Sequence, residues 1–400
     1  MHEENRVIIK FGDVAKQLKG SVDRDNNPFE RYIEGGHMDS ASLHLKRWGV
    51  FDDDYVGPAF HRIFNRGNIL YGSRRTYLKK VSVAEFDGIT ANTTFVIEAR
   101  SNENFDGRLL PYLMLSDGFT RYSVSKSKGS TNPYINWKDL IDFEFSLPTK
   151  KMQERKYQLL QRTEYLIREI ELIEGRLIKL KRQVEKEVLL GGNDFQSLFG
   201  GRGPCIPNGW ELKKLGDILT RVQYGSSEAL HADGSIPILR MMNLEDGKVT
   251  VDDLKYSKAS SEELSEIVLE KGDILFNRTN SMDLVGKTAL FEVEGVYAFA
   301  SYLLRLNVDL KVVTPGFVNR YLNHPLIQYR LKAYATPGVS QANINPGSLK
   351  QIPIVLPPLE FIRKVDELLA KYEFALKELL IKKQKIKKIQ EFFRESLLQG

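Results

Sequence analysis

The chain has 400 residues, a length that predicts two or three domains, each large enough to bury a core. Hydrophobic residues make up 42% and charged residues 28%, which excludes a fully disordered or fibrous protein. The formal net charge of +6 at pH 7 favours a polyanionic partner such as a nucleic acid, because lysines and arginines that neutralise phosphates release bound counterions.

Two further features bear on the compartment. The run of roughly 18 apolar residues that a membrane-spanning helix requires is absent, and the first residues contain no apolar signal segment. We therefore expect a cytoplasmic protein without membrane association. The single cysteine, Cys205, excludes an internal disulfide and predicts a buried or inert thiol.

A mixed α/β domain is predicted over residues 1–148, where short apolar runs are bounded by Gly, Asn, Asp and Pro. We predict strands at Val81–Val83 and Thr94–Ile97. Ile69 and Leu70 should anchor a further strand. The candidate ligand-contacting residues after that strand are Arg74, Arg75, Tyr77, Lys79 and Lys80, and a second basic segment near the end of the domain adds Lys126 and Lys128.

A long helix is predicted over residues 149–191, because apolar residues recur there every seven positions. One heptad set contains Leu159, Leu166, Ile173 and Leu180, and a second set contains Ile170, Leu177 and Val184. The helix follows Pro148 and ends before Gly191-Gly192, which is typical of helix beginnings and ends. The glycine-rich segment 192–206 has no periodicity and is predicted to be a linker.

A second mixed α/β domain is predicted over residues 207–357, with strands at Ile236–Leu239 and Tyr302–Leu306. Its candidate ligand-contacting residues are Arg278, Asn280, Ser281, Gln341 and Asn343. A second long helix is predicted over residues 358–400, after Pro357. Its heptad contains Val365, Tyr372, Leu379, Ile386 and Phe393, joined by Leu368, Ala375 and Ile389.

The two halves of the chain repeat one pattern. The landmarks, first copy and then second, are Gly12-Asp13 and Gly216-Asp217, RGNILYGSRR (66–75) and KGDILFNRTN (271–280), and Asn136 and Asn345. A repeated pattern indicates a repeated structural unit. We therefore predict an α+β protein with two repeated mixed α/β domains, each followed by a long helix, the two helices packing as an antiparallel coiled-coil spacer.

The candidate residues suit DNA recognition. Arginine can bond to guanine O6 and N7, asparagine can bond to adenine N6 and N7, and lysine can bond to phosphates. The competing interpretation is an ordinary charged loop. Asn136 and Asn345 have a different expected role, as caps or supports of the turn into the following strand. His37-Met38-Asp39 could form a recognition loop of the first domain or contain a buried-edge histidine.

Motifs of catalysis are absent or incomplete. Neither a G-x-x-x-x-G-K-[ST] phosphate loop nor an H-E-x-x-H helix is present. Asn132-Pro133-Tyr134 lacks one proline of an amino-methyltransferase motif and no glycine-rich cofactor loop precedes it, so we expect a plain loop. Asp52-Asp53-Asp54 is expected to be a solvated turn rather than a metal site.

Three segments carry a family resemblance: PNGWELKKLGDI (207–218), KGDILFNRTNS (271–281) and GVSQANINPGSLKQIPIVLPPLE (338–360). They resemble landmarks of the target-recognition domains of type I restriction-modification specificity subunits. With the repeat and the two helices, the resemblance covers essentially the whole chain. The first domain matches less closely, since it lacks the P-x-G-W opening and has FSLPTKKMQERK where the second has IVLPPLEFIRK.

The resemblance implies a non-catalytic subunit in which each domain reads one half of a bipartite, asymmetric sequence in double-stranded DNA. It also implies partners: modification (methyltransferase) subunits, expected to number two, and restriction/translocase subunits. S-adenosylmethionine, ATP and Mg²⁺ would be bound by those partners and none of them by this chain. The competing functions are a coiled-coil scaffold for proteins only and a DNA-modifying or DNA-cleaving enzyme.

Overall fold

The computed structural model describes residues 7–23, 26–51, 56–193, 203, 205–260, 262–338 and 341–398. Asp52-Asp53-Asp54 and most of the predicted linker lie outside these ranges. The chain divides into two compact units: unit 1 contains Met1–Ile173 and Glu378–Gly400, and unit 2 contains Glu174–Lys377. Each unit thus includes one globular domain and part of each long helix, so the units cut across the five predicted segments, whose bounds stay predictions.

The globular part of unit 1 is built mainly of strands. These are β1 (Val7–Lys10), β2 (Ala15–Leu18), β3 (Arg31–Ile33), β4 (Gly49–Val50), β5 (Phe60–Phe64), β6 (Ile69–Gly72), β7 (Val81–Val83), β8 (Gly88–Ala91), β9 (Thr94–Ala99) and β10 (Glu144–Leu147). The short helices are α1 (Phe11–Val14), α2 (Leu110–Met114), α3 (Asp117–Ser125) and α4 (Trp137–Leu140). The strands form two four-stranded sheets, of order β2-β9-β6-β7 and β4-β3-β8-β5, and a pair β1-β10.

The first long helix, α5 (Lys150–Leu190), leads from unit 1 into unit 2. The strands of unit 2 are β11 (Glu211–Lys214), β12 (Leu219–Tyr224), β13 (Ile236–Leu239), β14 (Leu244–Glu245), β15 (Lys248–Val249), β16 (Lys255–Ser257), β17 (Ile274–Asn277), β18 (Thr279–Asn280), β19 (Thr288–Leu290), β20 (Ala298–Phe299), β21 (Leu303–Val308), β22 (Thr336–Pro337), β23 (Ala342–Asn343) and β24 (Pro353–Leu356). The helices that follow are α6 (Pro315–Asn323), α7 (Pro325–Leu331), α8 (Pro346–Lys350) and the second long helix, α9 (Leu359–Ser396).

The main sheet of unit 2 has the order β12-β21-β17-β19-β15-β14. Smaller sheets have the orders β16-β13-β20 and β18-β23-β22, and β11 pairs with β24. In both units the strand that carries the I-L signal, β6 or β17, is central in its sheet and buried along its whole length. A strand covered on both faces has a short continuous apolar run as its sequence, which is why this element was predictable.

The repeat is preserved in the hydrogen bonds. Phe11 N donates to Phe143 O at 2.8 Å in unit 1, and Leu215 N donates to Ile352 O at 2.8 Å in unit 2. The aspartates of the two Gly-Asp landmarks accept equivalent backbone bonds, from Lys10 and Lys214. The predicted α+β class and the four predicted strands are confirmed, with the last beginning at Leu303 instead of Tyr302.

The first long helix is bounded by proline and glycine, and it runs antiparallel to the second in unit 1. Helix α5 starts two residues after Pro148 and ends one residue before Gly191, whose φ of +59° favours glycine at a helix end. In unit 1, Gln390 Nε2 donates to Glu164 Oε2 at 2.6 Å, and Lys383 Nζ lies 3.3 Å from Glu171 Oε1. Because the partner number falls as the α5 number rises, the helices run antiparallel in this unit.

One predicted heptad set is wrong. Leu159, Leu166, Ile173 and Leu180 are 41–45% exposed, whereas the neighbouring Leu160 and Ile167 are buried in unit 1. The reason is that α5 carries apolar pairs, Leu159-Leu160 and Leu166-Ile167, and spacing alone does not decide which member packs inward. On α9 the set from Val365 to Phe393 lies on the buried or half-buried side as predicted, but Leu368 and Ile389 are exposed.

Of the two alternatives for the thiol, burial is wrong, because Cys205 is exposed. An inert thiol stays a prediction. The residue is held through its main chain instead, since its backbone N donates to Asn193 Oδ1 at 2.8 Å. Within the described ranges, no helix has the length and apolar character needed to cross a membrane.

Candidate nucleic-acid interface

In unit 1 the first predicted loop follows the central strand β6. Arg74 and Arg75 are exposed, and a single 3₁₀ turn over Thr76–Leu78 comes next. Arg75 and Lys79 flank that turn with φ of +49° each, a left-handed conformation that non-glycine residues rarely adopt. The surrounding hydrogen bonds therefore have to hold the loop in shape.

Those bonds come from the second predicted segment. Arg75 N donates to Pro133 O at 2.7 Å, and Ile135 N donates to Ser73 O at 2.9 Å. Lys128 and Tyr134 exchange both backbone hydrogen bonds, at 2.8 and 2.9 Å. The structure thus brings together two loops that lie far apart in the sequence. Asn132-Pro133-Tyr134 lies in this loop, as expected.

The basic side chains of these two loops differ in whether a carboxylate or carbonyl oxygen already engages them. Lys79 forms an ion pair with Asp117, and the hydrogen bond from Lys79 lowers the pKa of that carboxyl group. Lys80 donates to Gly35 O. Lys128 Nζ lies 3.5 Å from Asp139. Among the described residues Arg74 and Arg75 have no carboxylate partner, so their exposed guanidinium groups are available to an anionic ligand.

Aromatic side chains accompany these cations. Tyr77 is 53% exposed and Tyr134 is 43% exposed, and Tyr134 forms a β-bridge with Arg74. The Lys126 ammonium lies 5.7 Å from the ring centre of Tyr122 and is exposed. An exposed surface of arginine, lysine and tyrosine suits contacts with phosphates and bases.

Unit 2 contains the same arrangement. Strand β18 pairs with β23, which places Thr279 opposite Asn343 and Asn280 opposite Ala342. Ile344 N donates to Arg278 O at 2.9 Å, the equivalent of the Ile135–Ser73 bond. The two loops predicted in the second domain are therefore also side by side.

Arg278 is half-buried and partly held by its neighbours. Its guanidinium carbon lies 5.0 Å from the ring centre of Tyr224, and Nη1 lies 3.4 Å from Ser301 O. The Nε atom is buried and has no hydrogen-bond partner among the described residues. An arginine stacked on an exposed tyrosine presents its remaining N–H groups in a fixed plane.

The other candidates in unit 2 are more engaged. Asn280 Nδ2 lies 3.2 Å from Met241 Sδ, and its Oδ1 accepts from Ser281 N at 2.8 Å. Asn343 Nδ2 donates to Thr279 Oγ1 at 2.8 Å. The side chains of Ser281 and Gln341 are exposed. These bonds shape the loop, so a base contact by Asn280 or Asn343 would have to replace or share them.

Asn345 has the capping role predicted for the asparagines of the repeated turn. Its Oδ1 accepts from Ser348 N at 2.9 Å at the start of α8. Asn136 occupies the same position before α4 but donates to Asp139 Oδ2 at 3.1 Å. In the first domain's other candidate loop, Met38 is buried in the core, and His37 is half-buried with its ring centre 5.6 Å from that of Tyr32.

Sequence reasoning missed Tyr224 and Met241, which contact Arg278 and Asn280 from other strands and turns. Both lie far from those residues in the sequence, and only the pairing of β12 with β21 brings Tyr224 near. No group of three or more His, Cys, Asp or Glu side chains within the described ranges could hold a metal ion.

Comparison with known proteins gives consistent results. Residues 207–391 match the family model described as the type I restriction modification DNA specificity domain. The chain is 30% identical over 171 residues to the putative type I restriction enzyme MjaX specificity subunit of Methanocaldococcus jannaschii, and these cover 42% of this chain and 40% of that protein. It is 25% identical over 287 residues to the StySPI specificity subunit of Salmonella potsdam, covering 66% of this chain and 61% of the relative.

The matched segments therefore span less than two thirds of these relatives' own lengths. The fold is similar to that of the S subunit of a type I restriction-modification system from M. genitalium, with a TM-score of 0.61 and 13% identity. That similarity covers 100% of this chain and 97% of the other. At this identity it concerns the fold alone.

Proposed function

We propose that the chain is a type I restriction-modification specificity subunit, the non-catalytic DNA-recognition subunit of such a system; the match of residues 207–391 to the specificity-domain family and the similarity to two specificity subunits support this. Each repeated domain reads one half of a bipartite, asymmetric sequence in double-stranded DNA. The loops joined by the Ser73–Ile135 and Arg278–Ile344 bonds are the reading surfaces.

The observation that carries this proposal is the equivalence of those two loop pairs. Both domains hold their loops with the same backbone bonds, yet the side chains differ: Arg74, Arg75 and Tyr77 are exposed in one, and the other has the half-buried Arg278 with exposed Ser281 and Gln341. Equal scaffolds with different side chains are what two half-sites of different sequence require.

Arg74 and Arg75 provide the test. Replacing both with alanine should weaken DNA binding by the full chain and flatten its dependence on salt, by about 0.9 in the logarithmic slope for each phosphate that the variant no longer neutralises. If either arginine reads a base, discrimination at one half-site should fall by about 1–3 kcal/mol while the other half-site is unaffected.

Arg66→Ala is the matched control, because this exposed arginine lies in the turn before β6, at the opposite end of the strand that leads to Arg74. Binding should be measured by fluorescence anisotropy at several salt concentrations, with the chain alone and with modification subunits added. Equal losses for the control and the double variant would reject the assigned surface. A chain that binds no DNA in either state would instead be a protein-only scaffold.

The long helices supply the partner surface in this proposal. In unit 1, α5 exposes Met152, Leu159 and Tyr165. In unit 2, α9 exposes Phe361, Leu368 and Phe374, with the same spacing along the helix. Exposed apolar residues at equivalent positions indicate two equivalent protein contacts. We assign them to two modification subunits.

Catalysis and its cofactors belong to the partners in this proposal. S-adenosylmethionine would be bound by the modification subunits, and ATP and Mg²⁺ by partner subunits that include the restriction/translocase subunits. The purified chain should transfer no methyl group and cleave no DNA when all three are supplied. Turnover that persists after contaminating subunits are removed would make it an enzyme in its own right.

A further inference from the structure

Each unit contains a contact between its globular domain and its long helices, centred on one glutamate. In unit 2 this residue is Glu373 of α9. Lys248 Nζ, from β15 of the domain, lies 3.3 Å from Glu373 Oε2. Lys181 Nζ of α5 and Arg320 Nε of α6 lie 3.6 and 3.9 Å from Oε1. The positive groups around Glu373 thus come from two lysines and an arginine.

In unit 1 the corresponding residue is Glu164 of α5, whose side chain is 12% exposed. His44 Nε2, from the domain, lies 3.1 Å from Glu164 Oε1. Glu164 Oε2 accepts from Gln390 Nε2 at 2.6 Å and lies 3.9 Å from Arg394 Nη2. The domain's contribution here is a histidine where unit 2 has a lysine.

Backbone hydrogen bonds show that His44 and Lys248 occupy equivalent positions in the two domains. Val83 N donates to Leu43 O at 2.8 Å, and Leu290 N donates to Gly247 O at 3.0 Å. Val83 and Leu290 occupy matching places, opposite Ile69 and Ile274. The residues after Leu43 and Gly247 are His44 and Lys248, so these two side chains hold the same structural position.

The surroundings of His44 favour a charged ring. Its Nδ1 lies 2.9 Å from Glu85 Oε1, so a carboxylate oxygen lies near each ring nitrogen. Carboxylates only accept hydrogen bonds, and a neutral imidazole has one nitrogen without a proton. Nε2 is buried and lies beside Glu164 without an aligned hydrogen bond, so its attraction to that carboxylate depends on the charge of the ring. A neutral ring would place an unprotonated nitrogen beside one of the two carboxylates.

Other charged groups face this site. Arg168 of α5 lies 3.8 Å from Glu85, and Lys46, Lys387, Glu391 and Arg394 line the same cavity. The contact with Glu164 raises the pKa of His44, against the opposing effects of burial and Arg168, and Glu85 raises it further. Lys46 Nζ also lies 2.6 Å from Glu171, which provides a second contact without a titrating partner.

We propose that His44 is a positioning residue that helps to hold the first domain on the long helices while its imidazole is protonated, whereas a lysine, Lys248, has this place in the second domain. The first reading domain is therefore held less firmly as the pH rises. The Lys46–Glu171 pair keeps the effect to a local loosening. This inference concerns the contact between domain and helices and holds whatever the loops bind.

The pH dependence of this contact follows from the shift in the pKa of His44. The folded-state pKa of His44 lies above its ordinary value near 6.5, so the charged contact contributes fully below that pH. Its contribution disappears as the pH rises through the folded-state pKa. In unit 2 the place of His44 is taken by a lysine. His324 lines the same cavity as Glu373, but burial lowers its pKa below the ordinary value, so this ring is already neutral where His44 loses its proton.

Hydrogen exchange of the full chain tests the proposal between pH 5.5 and 9, after correction for the pH dependence of intrinsic exchange. Peptides around residues 44 and 164 should lose protection roughly three- to fivefold across this range, while those around 248 and 373 should not. His44→Lys keeps a positive charge, so this pH-dependent loss of protection in unit 1, the pH step, should disappear. His44→Gln removes the charge and should give the low protection at every pH.

Lys248→His is the reciprocal variant and should introduce a step in unit 2 that the natural chain lacks. A pH step in unit 1 that survives in His44→Lys would overturn the proposal, because another group would then be responsible. Protection that is independent of pH in the natural chain would overturn it as well. If His44→Gln alone fails to fold, the natural chain, His44→Lys and Lys248→His still decide.

Discussion

Neighbouring leucines on the long helices should behave in opposite ways. Leu160 is fully buried in the core of unit 1, whereas the adjacent Leu159 is 43% exposed. Replacing a buried leucine with alanine costs about 2–5 kcal/mol, because the lost transfer free energy is joined by a cavity. Leu159→Ala leaves no closed cavity and should cost about 0.5 kcal/mol or less, as most surface changes do.

For a unit of this size, about 2 °C or more of unfolding temperature corresponds to each kcal/mol. Leu160→Ala should therefore lower the midpoint of unit 1 by at least about 4 °C, and Leu159→Ala by about 2 °C or less. Unit 2 has a matched pair, with Leu369 buried and Leu368 exposed, and it should show the same contrast. Scanning calorimetry of the full chain gives these midpoints.

Binding of the modification subunits should show the opposite contrast between the exposed and the buried leucines. Leu159→Ala and Leu368→Ala should reduce co-purification with the modification subunits, whereas Leu160→Ala, kept below its unfolding temperature, should retain it. Equal thermal losses for Leu159 and Leu160 would refute the assignment of helix faces. Undiminished partner binding by the double variant of the exposed leucines would refute the assigned docking surface.

Two further predictions concern a helix and a loop. Gly175→Ala should stabilise the chain by about 0.5–1 kcal/mol, since a Cβ there meets no atom within 4 Å and alanine favours helix. Gly191→Ala should destabilise the chain in the same thermal assay, because the φ of +59° at this position disfavours a residue with a Cβ. Tyr224→Ala should weaken discrimination at the half-site of the second domain roughly two- to fivefold, because Arg278 no longer stacks on a ring, while Tyr224→Phe should preserve it. A Tyr224→Phe variant as weak as Tyr224→Ala would show that the hydroxyl matters and the stacking does not.

Much of the architecture was predictable because it rests on patterns of short range. The repeat, the proline before each long helix and the glycines after α5 each have a local physical cause, and each agrees with the structure. The face of α5 was not predictable. At Leu159-Leu160 both heptad registers offer a leucine, and only contact with the rest of unit 1 selects Leu160.

The candidate nucleic-acid interface was likewise predictable only in part. The pairing of the loops around Arg74 and Lys128, and around Asn280 and Asn343, was not visible in the sequence, although residues from all four loops were selected. Which of their side chains are free depends on partners brought from elsewhere. Asp117 engages Lys79 and leaves Arg74 uncommitted, and no spacing rule foresees that difference.

The two domains differ most where backbone bonding does not constrain them. Ser73 and Arg278 each accept the same bond through the main-chain oxygen, from Ile135 and Ile344. A main-chain acceptor is independent of the side chain, so a serine and an arginine can occupy one structural position. The loop framework can then stay fixed while the exposed side chains change, which lets one fold present two different surfaces within one chain. Exchanging exposed loop side chains between the domains should therefore alter the sequence preference and leave the unfolding temperature nearly unchanged.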